Sequence, residues 1–481
     1  MIGFTLLNLI GTRNTQFGIL VYVVDRITEH LAQFACSLGY GNLAKEDIHE
    51  CKRRVIDSLG IAMGGYREKP SEIARDIALE STGRPGSTIL GTTHTATPDM
   101  ATFANATMIH SQDYMDTYLS KEACHPSDNI AAILAVNEHL GAGGKSAILS
   151  MILAYEVICR LCDAAGVRER GWDHVVYGAI SSAIAAGSIL GLNGDQMREA
   201  ISLSATSNGA LRQTRVGEIP MWKACAPANA ARNGVFAAFL AARGLTGPGE
   251  AFEGEKGFQR QISGPLTLPR FGGAGKPFMI HSTHIKCWPV QYNTQAGIQA
   301  ALELREQLNS SEGIECVDIR ISDVGADLSA DTDAKWNPKT RETADHSLPY
   351  IVLSALLDGY VTKDTFDSDR LRDPKWPNLL NKVYVHRDPT FSRDYPSMLS
   401  VSVDVTTTSG NRLSRQVDFP TGHSENPMTD LQVEEKFRMM VGTMLDNSHI
   451  DQALDLLWHL EEVDDIGSLL RLFDLSSWQG Q

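Results

Sequence analysis

Apolar residues recur at helical spacing almost throughout the stretch from Asp25 to about Leu245. ITEHLAQFACSL, KEDIHECKRRVIDSLGIAMGG, KSAILSMILAYEVICRLCDAA, AISSAIAAGSILGL, GDQMREAISLSATSN and NAARNGVFAAFLAARG each read as a helix. Several are rich in Ala, Gly and Ser and have little polar face. Such helices bury against one another, because small side chains let the axes approach closely. Asn193-Gly194-Asp195 and Gly244 mark helix boundaries.

The texture changes near Phe271-Gly272-Gly273. One more helix, NTQAGIQAALELREQL, is followed by alternating stretches that predict strands: CVDIRISDV, KVYVHRD, LSVSVDVTTTSG and RLSRQVDFP. A helix, HSLPYIVLSALLDG, separates the first two, and Ser409-Gly410-Asn411 marks a hairpin tip. MTDLQVEEKFRMMVGTML and HIDQALDLLWHLEEV return to helix and dock back on the first part. The fold expected is mainly α: a large all-helical domain, 25–274 and 425–481, with a smaller α+β domain, 275–424, inserted in it. Residues 1–24 read as an N-terminal extension.

A chain of 481 residues exceeds one ordinary core, which suits two domains. The net charge of −15 excludes nucleic acid as a partner, since phosphate neutralisation needs basic surface. It leaves room for a small anionic substrate in a locally cationic cleft. The extension is too broken by polar residues to span a membrane and lacks the basic start of a secretory signal. Eight scattered cysteines suit reduced thiols inside a cell, in the cytoplasm or mitochondrial matrix. Cys159 and Cys162 form a CxxC within a helical run and read as helix-core thiols. His281 and His284 form an HxxH without a carboxylate or cysteine at ligand spacing, so no metal site is expected.

Five polar clusters interrupt this apolar chain. In HSQDYMDTYLSKEACHPSDNI, Asp113, Asp116 and Thr117 stand at i, i+3 and i+4, the spacing of one helix face. His125-Pro126 opens the next helix, with Ser127, Asp128 and Asn129 in its first turn. Capping explains part of this set, but not a DxxDT face with a histidine close by. Asp173 and His174 lie at another helix start, in GWDHVVYG. Arg212, Arg215 and Lys223 fall within twelve residues at the mouth of the Ala-rich bundle, where arginine suits carboxylate recognition. Lys286, in HIKCWP, is the fourth cluster; Arg341, His346 and Tyr350, in TRETADHSLPY, are the fifth. Together they predict a cationic pocket between the domains with groups suited to proton transfer. No dinucleotide fingerprint, P-loop, nucleophile elbow or cluster-binding cysteine set accompanies them, so the chemistry is acid–base and no cofactor is expected.

At these clusters the chain resembles the MmgE/PrpD family, which includes 2-methylcitrate dehydratase, cis-aconitate decarboxylase and iminodisuccinate epimerase. DYMDTYLSKEACHPSDNIAAILAV, GWDHV, LRQTRVGEIPMWKACAPANAARN, FEGEKGF and KWNPKTRETADHSLPYIVLSALLDG carry the likeness, nearest to the dehydratase branch. The resemblance implies a helical domain holding both termini, an inserted α+β lid, a homodimer and no metal. Carried over by motif, the decarboxylase branch's site falls on Asp113, Thr117, His125, Lys223, Lys286 and Tyr350. A second histidine of that branch is replaced here by Asp163 or Cys162, and LSKEAC lengthens the gap between Thr117 and His125. His174 is offered as the replacement.

The expectation is a metal-independent dehydratase of a small tricarboxylate, 2-methylcitrate. His125, Asp113, Lys223 and His174 are expected to act in catalysis. Thr117, Arg212, Arg215, Lys286, Arg341, His346 and Tyr350 are expected to bind substrate. The alternatives are a decarboxylase, epimerase or other lyase with the same pocket, and a non-catalytic carboxylate-binding protein.

Overall fold

The computed structural model describes residues 25–308 and 313–476. The expected extension, 1–24, lies outside the described residues. Helices dominate, and they form where the periodicity places them. Lys45–Gly64, Pro98–His110, Ile130–His139, Gly144–Ala164, Val175–Ile189 and Trp222–Ala242 supply much of the apolar core. Val175–Ile189 packs along Trp222–Ala242 at a distance only small residues permit: a Cβ on Gly234 would stand 2.5 Å from the Ala179 carbonyl. Asn193 caps Gly194–Ser207 and accepts from Gln196 N–H, and Gly244, at φ 88°, follows Trp222–Ala242.

A ribbon of two short strands, β1 (Ser87–Thr88) and β2 (Thr95–Ala96), breaks the helical stretch. With two residues per strand it leaves no period to read. The main sheet holds β3 (Ile314–Ile321), β4 (Val383–Arg387), β5 (Val401–Thr407) and β6 (Arg412–Val417) in the order β4-β3-β5-β6. β3 and β4 are parallel, and the chain between them includes the helix Leu348–Asp358. β5 and β6 form an antiparallel hairpin turning at Gly410, φ 88°. Val401, Val403 and Val405 alternate inward, onto a core shared with Gln295–Arg305 and Leu348–Asp358.

Asp430–Val441 and Asn447–Trp458 then lay Val433, Phe437 and Leu454 against Val55 and Leu59 of Lys45–Gly64. Among the described residues no helix is long and apolar enough to cross a membrane. Cys159 and Cys162 are buried in Gly144–Ala164 beside Cys124, and burial pushes the Cys159 thiol up to about 11.

Candidate active site

The polar loop after Pro98–His110 is not helical, contrary to the spacing of Asp113, Asp116 and Thr117. Asp113 takes a left-handed conformation, φ 50°, which an Asp tolerates better than most residues and which ends helical propagation. The loop is fixed by partners distant in sequence. Thr117 and His284 exchange backbone hydrogen bonds of 2.8 Å in both directions. Ile285 N–H donates to the Gly422 carbonyl, where a side chain would collide with the Ile285 carbonyl at 1.9 Å. This pairing delivers Lys286 to Asp113.

Asp113 is the hub. Its carboxylate lies 2.8 Å from Lys286 Nζ and 3.0 Å from Lys223 Nζ, with His346 Nε2 at 3.6 Å. Lys286 also donates to the Asp113 carbonyl at 2.7 Å. Burial opposes ionisation of Asp113, but the two ammonium groups overcome it and hold the carboxyl well below its usual range. Burial draws Lys286 down, against the pull of Asp113.

Two histidines face this hub. His125 Nδ1 lies 2.7 Å from the Asp116 carbonyl. A carbonyl only accepts, so Nδ1 carries the proton and Nε2 keeps its lone pair. Thr117 Oγ1 lies 3.1 Å from the same Nδ1. Asp116 is itself held by Tyr155 Oη at 2.7 Å and Ser127 N–H at 3.0 Å. Burial and the nearby Lys286 keep the His125 imidazole neutral, well below its ordinary value. His174 Nδ1 lies 3.0 Å from Asp173, whose other oxygen accepts from Arg215 Nε at 2.7 Å. The ring centres of His125 and His174 are 5.6 Å apart, nearly perpendicular at 70°. His174 Nε2 is buried without a hydrogen-bond partner.

A cavity of about 200 Å³ opens onto Asp113, Thr117, His125, His174, Lys223 and Lys286. Arg212, Arg215 and His346 complete the predicted part of its wall. Arg215 is engaged by Asp173, and Arg168, also in the wall, by Glu122 at 3.4 Å. Arg212 has no carboxylate partner among the described residues. Burial, then the like charges of Arg215 and Arg168, draw its guanidinium down to about 10, so an anion arriving there is stabilised.

Two predicted residues are elsewhere. Tyr350 is buried in the core under the sheet, donating to the Thr365 carbonyl at 2.6 Å and accepting from Arg370 Nε at 3.1 Å. Its helix points the ring at Trp376, away from the cavity. Arg341 pairs with Glu68 at 2.6 Å, outside the cavity wall. Among the groups that went unread are Arg168 and Glu122, in the wall, and His110, beside His125. Arg168 sits six residues before His174, in GVRERGW, where a basic run looks like surface. His110 is wholly buried, 2.9 Å from Asp128, with its ring 5.2 Å from that of His125.

His110, Asp113 and His125 bring ligand atoms within 4.8 Å of one another, as do Asp113, Asp345 and His346. Both sets share Asp113, whose oxygens already face two ammonium groups, and a divalent cation would be repelled there. In the HxxH, His281 faces Asp47 at 2.7 Å while His284 stacks on His423 and accepts from Ser424 N–H, so the pair shares no site.

The MmgE/PrpD N-terminal domain model matches residues 29–269, and the MmgE/PrpD C-terminal domain model matches residues 288–460. The chain belongs to the MmgE/PrpD family. The chain is 28% identical to human cis-aconitate decarboxylase over 94% of its own length and 95% of that protein. It is 26% identical to 2-methylcitrate dehydratase of Cupriavidus necator over 87% of its length and 89% of that protein. Against the 2-methylcitrate dehydratase of Salmonella typhimurium the identity is 25%, covering 86% and 89%.

Within this MmgE/PrpD chain, Asp163 is structural. It accepts from Tyr118 Oη at 2.5 Å and Ser120 Oγ at 2.7 Å, and pairs with Arg160. Cys162 is buried in the helix core. His174, from the GWDHV motif, stands in the cavity wall together with His125 and His346.

Proposed function

We propose that the chain is a lyase that dehydrates a tricarboxylate of the 2-methylcitrate type to its cis-aconitate counterpart, using its own acid–base groups. The observation that carries this reading is the pair of imidazoles in unlike settings beside the unpartnered Arg212. His125 is backed by a carbonyl and kept neutral, which suits a base. His174 is held neutral by burial, but it is backed by a carboxylate that favours its imidazolium, which suits an acid once a substrate's charge is added.

In this mechanism His125 Nε2 takes the proton from the carbon alpha to a carboxylate. The electron pair forms the double bond, the C–O bond breaks, and the hydroxyl leaves as water with a proton from His174. The substrate's own negative charge raises His174 and keeps that proton in place before reaction. Lys223 and Lys286 stabilise the charge that grows on the carboxylate, and Arg212 holds another carboxylate. Asp113, ionised between the lysines, positions them rather than transferring protons. Residues 275–424 act as the lid that excludes water.

Cis-aconitate decarboxylation is the second reading, favoured by the match to the human decarboxylase along nearly the whole chain. The same imidazoles would protonate the carbon that loses carbon dioxide. Chelator-treated protein incubated with 2-methylcitrate, citrate and cis-aconitate, with products identified by NMR, separates the two. Formation of 2-methyl-cis-aconitate supports dehydration, and carbon dioxide loss from cis-aconitate overturns it. Thermal stabilisation by all three without turnover points to a carboxylate-binding protein.

The active unit is a homodimer in this reading. Leu211, Val216, Met221 and Trp222 are exposed together on the segment that carries Arg212 and Arg215, and Phe236 is exposed on the helix that follows.

A further inference from the structure

A second cavity, of about 510 Å³, is walled in part by Tyr114 and Cys287, which follow Asp113 and Lys286 in the chain. Tyr114, Trp288, Leu302, Val361, Met439, Met440 and Met444 give it an apolar wall. Its charged residues balance, Arg67 and Lys363 against Glu68 and Asp364, which suits an uncharged occupant.

Gln112, also in the wall, sets the polarity of the occupant. Its Nε2 donates to the Gly64 carbonyl at 2.7 Å and faces Glu68 at 3.4 Å. Both neighbours are acceptors, which fixes the orientation of the amide. Gln112 Oε1 is consequently the free atom, and it is buried without a partner. Met440 covers it. A point above Gly64, where a Cβ would stand, is 2.0 Å from Met440 Cε and 3.3 Å from Gln112 Oε1. A flexible thioether can swing aside and leave that acceptor to a ligand.

We propose that this cavity binds an uncharged, mainly apolar molecule bearing one N–H or O–H donor, and that its occupancy is transmitted to the Asp113–Lys286 pair. Tyr114 and Cys287, both in the cavity wall, are the peptide neighbours of Asp113 and Lys286. Tyr114 Oη donates to the Cys287 carbonyl at 2.8 Å, and Lys436 Nζ donates to the Lys286 carbonyl at 2.8 Å and the Tyr114 carbonyl at 3.1 Å. The Glu68–Arg341 ion pair joins the two sides of the molecule at the same place. The transmission runs through the position of these groups, whatever reaction they perform.

Indole is the probe: planar, uncharged, with one N–H. The full-length chain carrying ¹³C-methyl methionine is titrated with it. Of the 14 methionines, Met439, Met440 and Met444 are expected to shift together and saturate, with the others unmoved. No saturable shift at these three, or shifts confined to others, overturns the site. 1-Methylindole, which lacks the donor, is expected to bind about tenfold more weakly, the ordinary worth of a hydrogen bond to a buried acceptor. Equal affinity overturns the role of Gln112. The His125 and His346 ring resonances are recorded on the same samples. Their displacement on saturation supports transmission to the Asp113 cluster, and unchanged rings overturn it.

Discussion

Single side chains carry the chemistry proposed here, and their settings give it a pH signature. His125 is neutral because burial and Lys286 lower its affinity for a proton. A base held below 6.5 stays active at mildly acidic pH. The acid limb that His125 sets on the kcat/KM profile is therefore expected to lie below pH 6.5. An acid limb at or above pH 6.5 would remove His125 as the base. His125→Gln is expected to lower kcat by about 10²–10⁴ while tricarboxylate still binds, as calorimetry would show. Tyr350 makes the opposite case. Its hydroxyl spans Thr365 and Arg370 in the second core, so Tyr350→Phe is expected to cost about 1–3 kcal/mol of stability and to leave kcat and KM unchanged. A large rise in KM would return Tyr350 to the pocket.

At the scale of elements, the site depends on how one helix holds a distant loop. Glu156, on Gly144–Ala164, is fully buried and accepts from the Gly272 and Met279 N–H groups at 2.7 Å each, with Arg160 at 2.8 Å. These bonds anchor the chain that runs on to His284 and Lys286. Glu156→Ala strands the buried Met279 N–H and the part-buried Gly272 N–H, and a loss of about 2–5 kcal/mol is expected in denaturant melts. Faster amide exchange in 272–286 would accompany it. The helices themselves were legible: Ala-rich, small-faced runs such as NAARNGVFAAFLAARG have few ways to be buried except against one another. The loop 111–117 was not. Its DxxDT spacing is helical in isolation, and only the pairing of Thr117 with His284 shows why it is drawn out.

The whole molecule responds to acid through its buried groups. The unfolded chain protonates Asp113 near pH 4. The folded chain resists, because Lys223 and Lys286 hold the carboxylate ionised. Stability from Asp113 is thus present above about pH 4 and lost as pH falls towards its folded value. The neutral buried histidines act earlier: the unfolded state takes up their protons below about pH 6.5, which lowers stability from there downward. Asp113→Asn is expected to lower Tm sharply at pH 7 and by progressively less below pH 4. A difference independent of pH would mean that the ion cluster contributes little. For the proposed assembly, light scattering is expected to give a dimer's mass for the native chain and a folded monomer's for Trp222→Asp combined with Phe236→Asp; a native monomer would overturn the assembly, and a variant that stays dimeric would place the interface elsewhere.

Periodicity, composition and motif determined a good deal on their own. They placed the helices, the four main strands and nine of the eleven expected residues that line one cavity, because each depends on residue type and local spacing. Tertiary structure decided the rest. Nothing local distinguishes Tyr350, which completes the second core, from His346, four residues earlier, which reaches Asp113. Nor does a surface-like basic run reveal that Arg168 turns inward to Glu122. Which way a side chain points is set by the elements packed around it, and those lie beyond the local spacing that a sequence pattern reads.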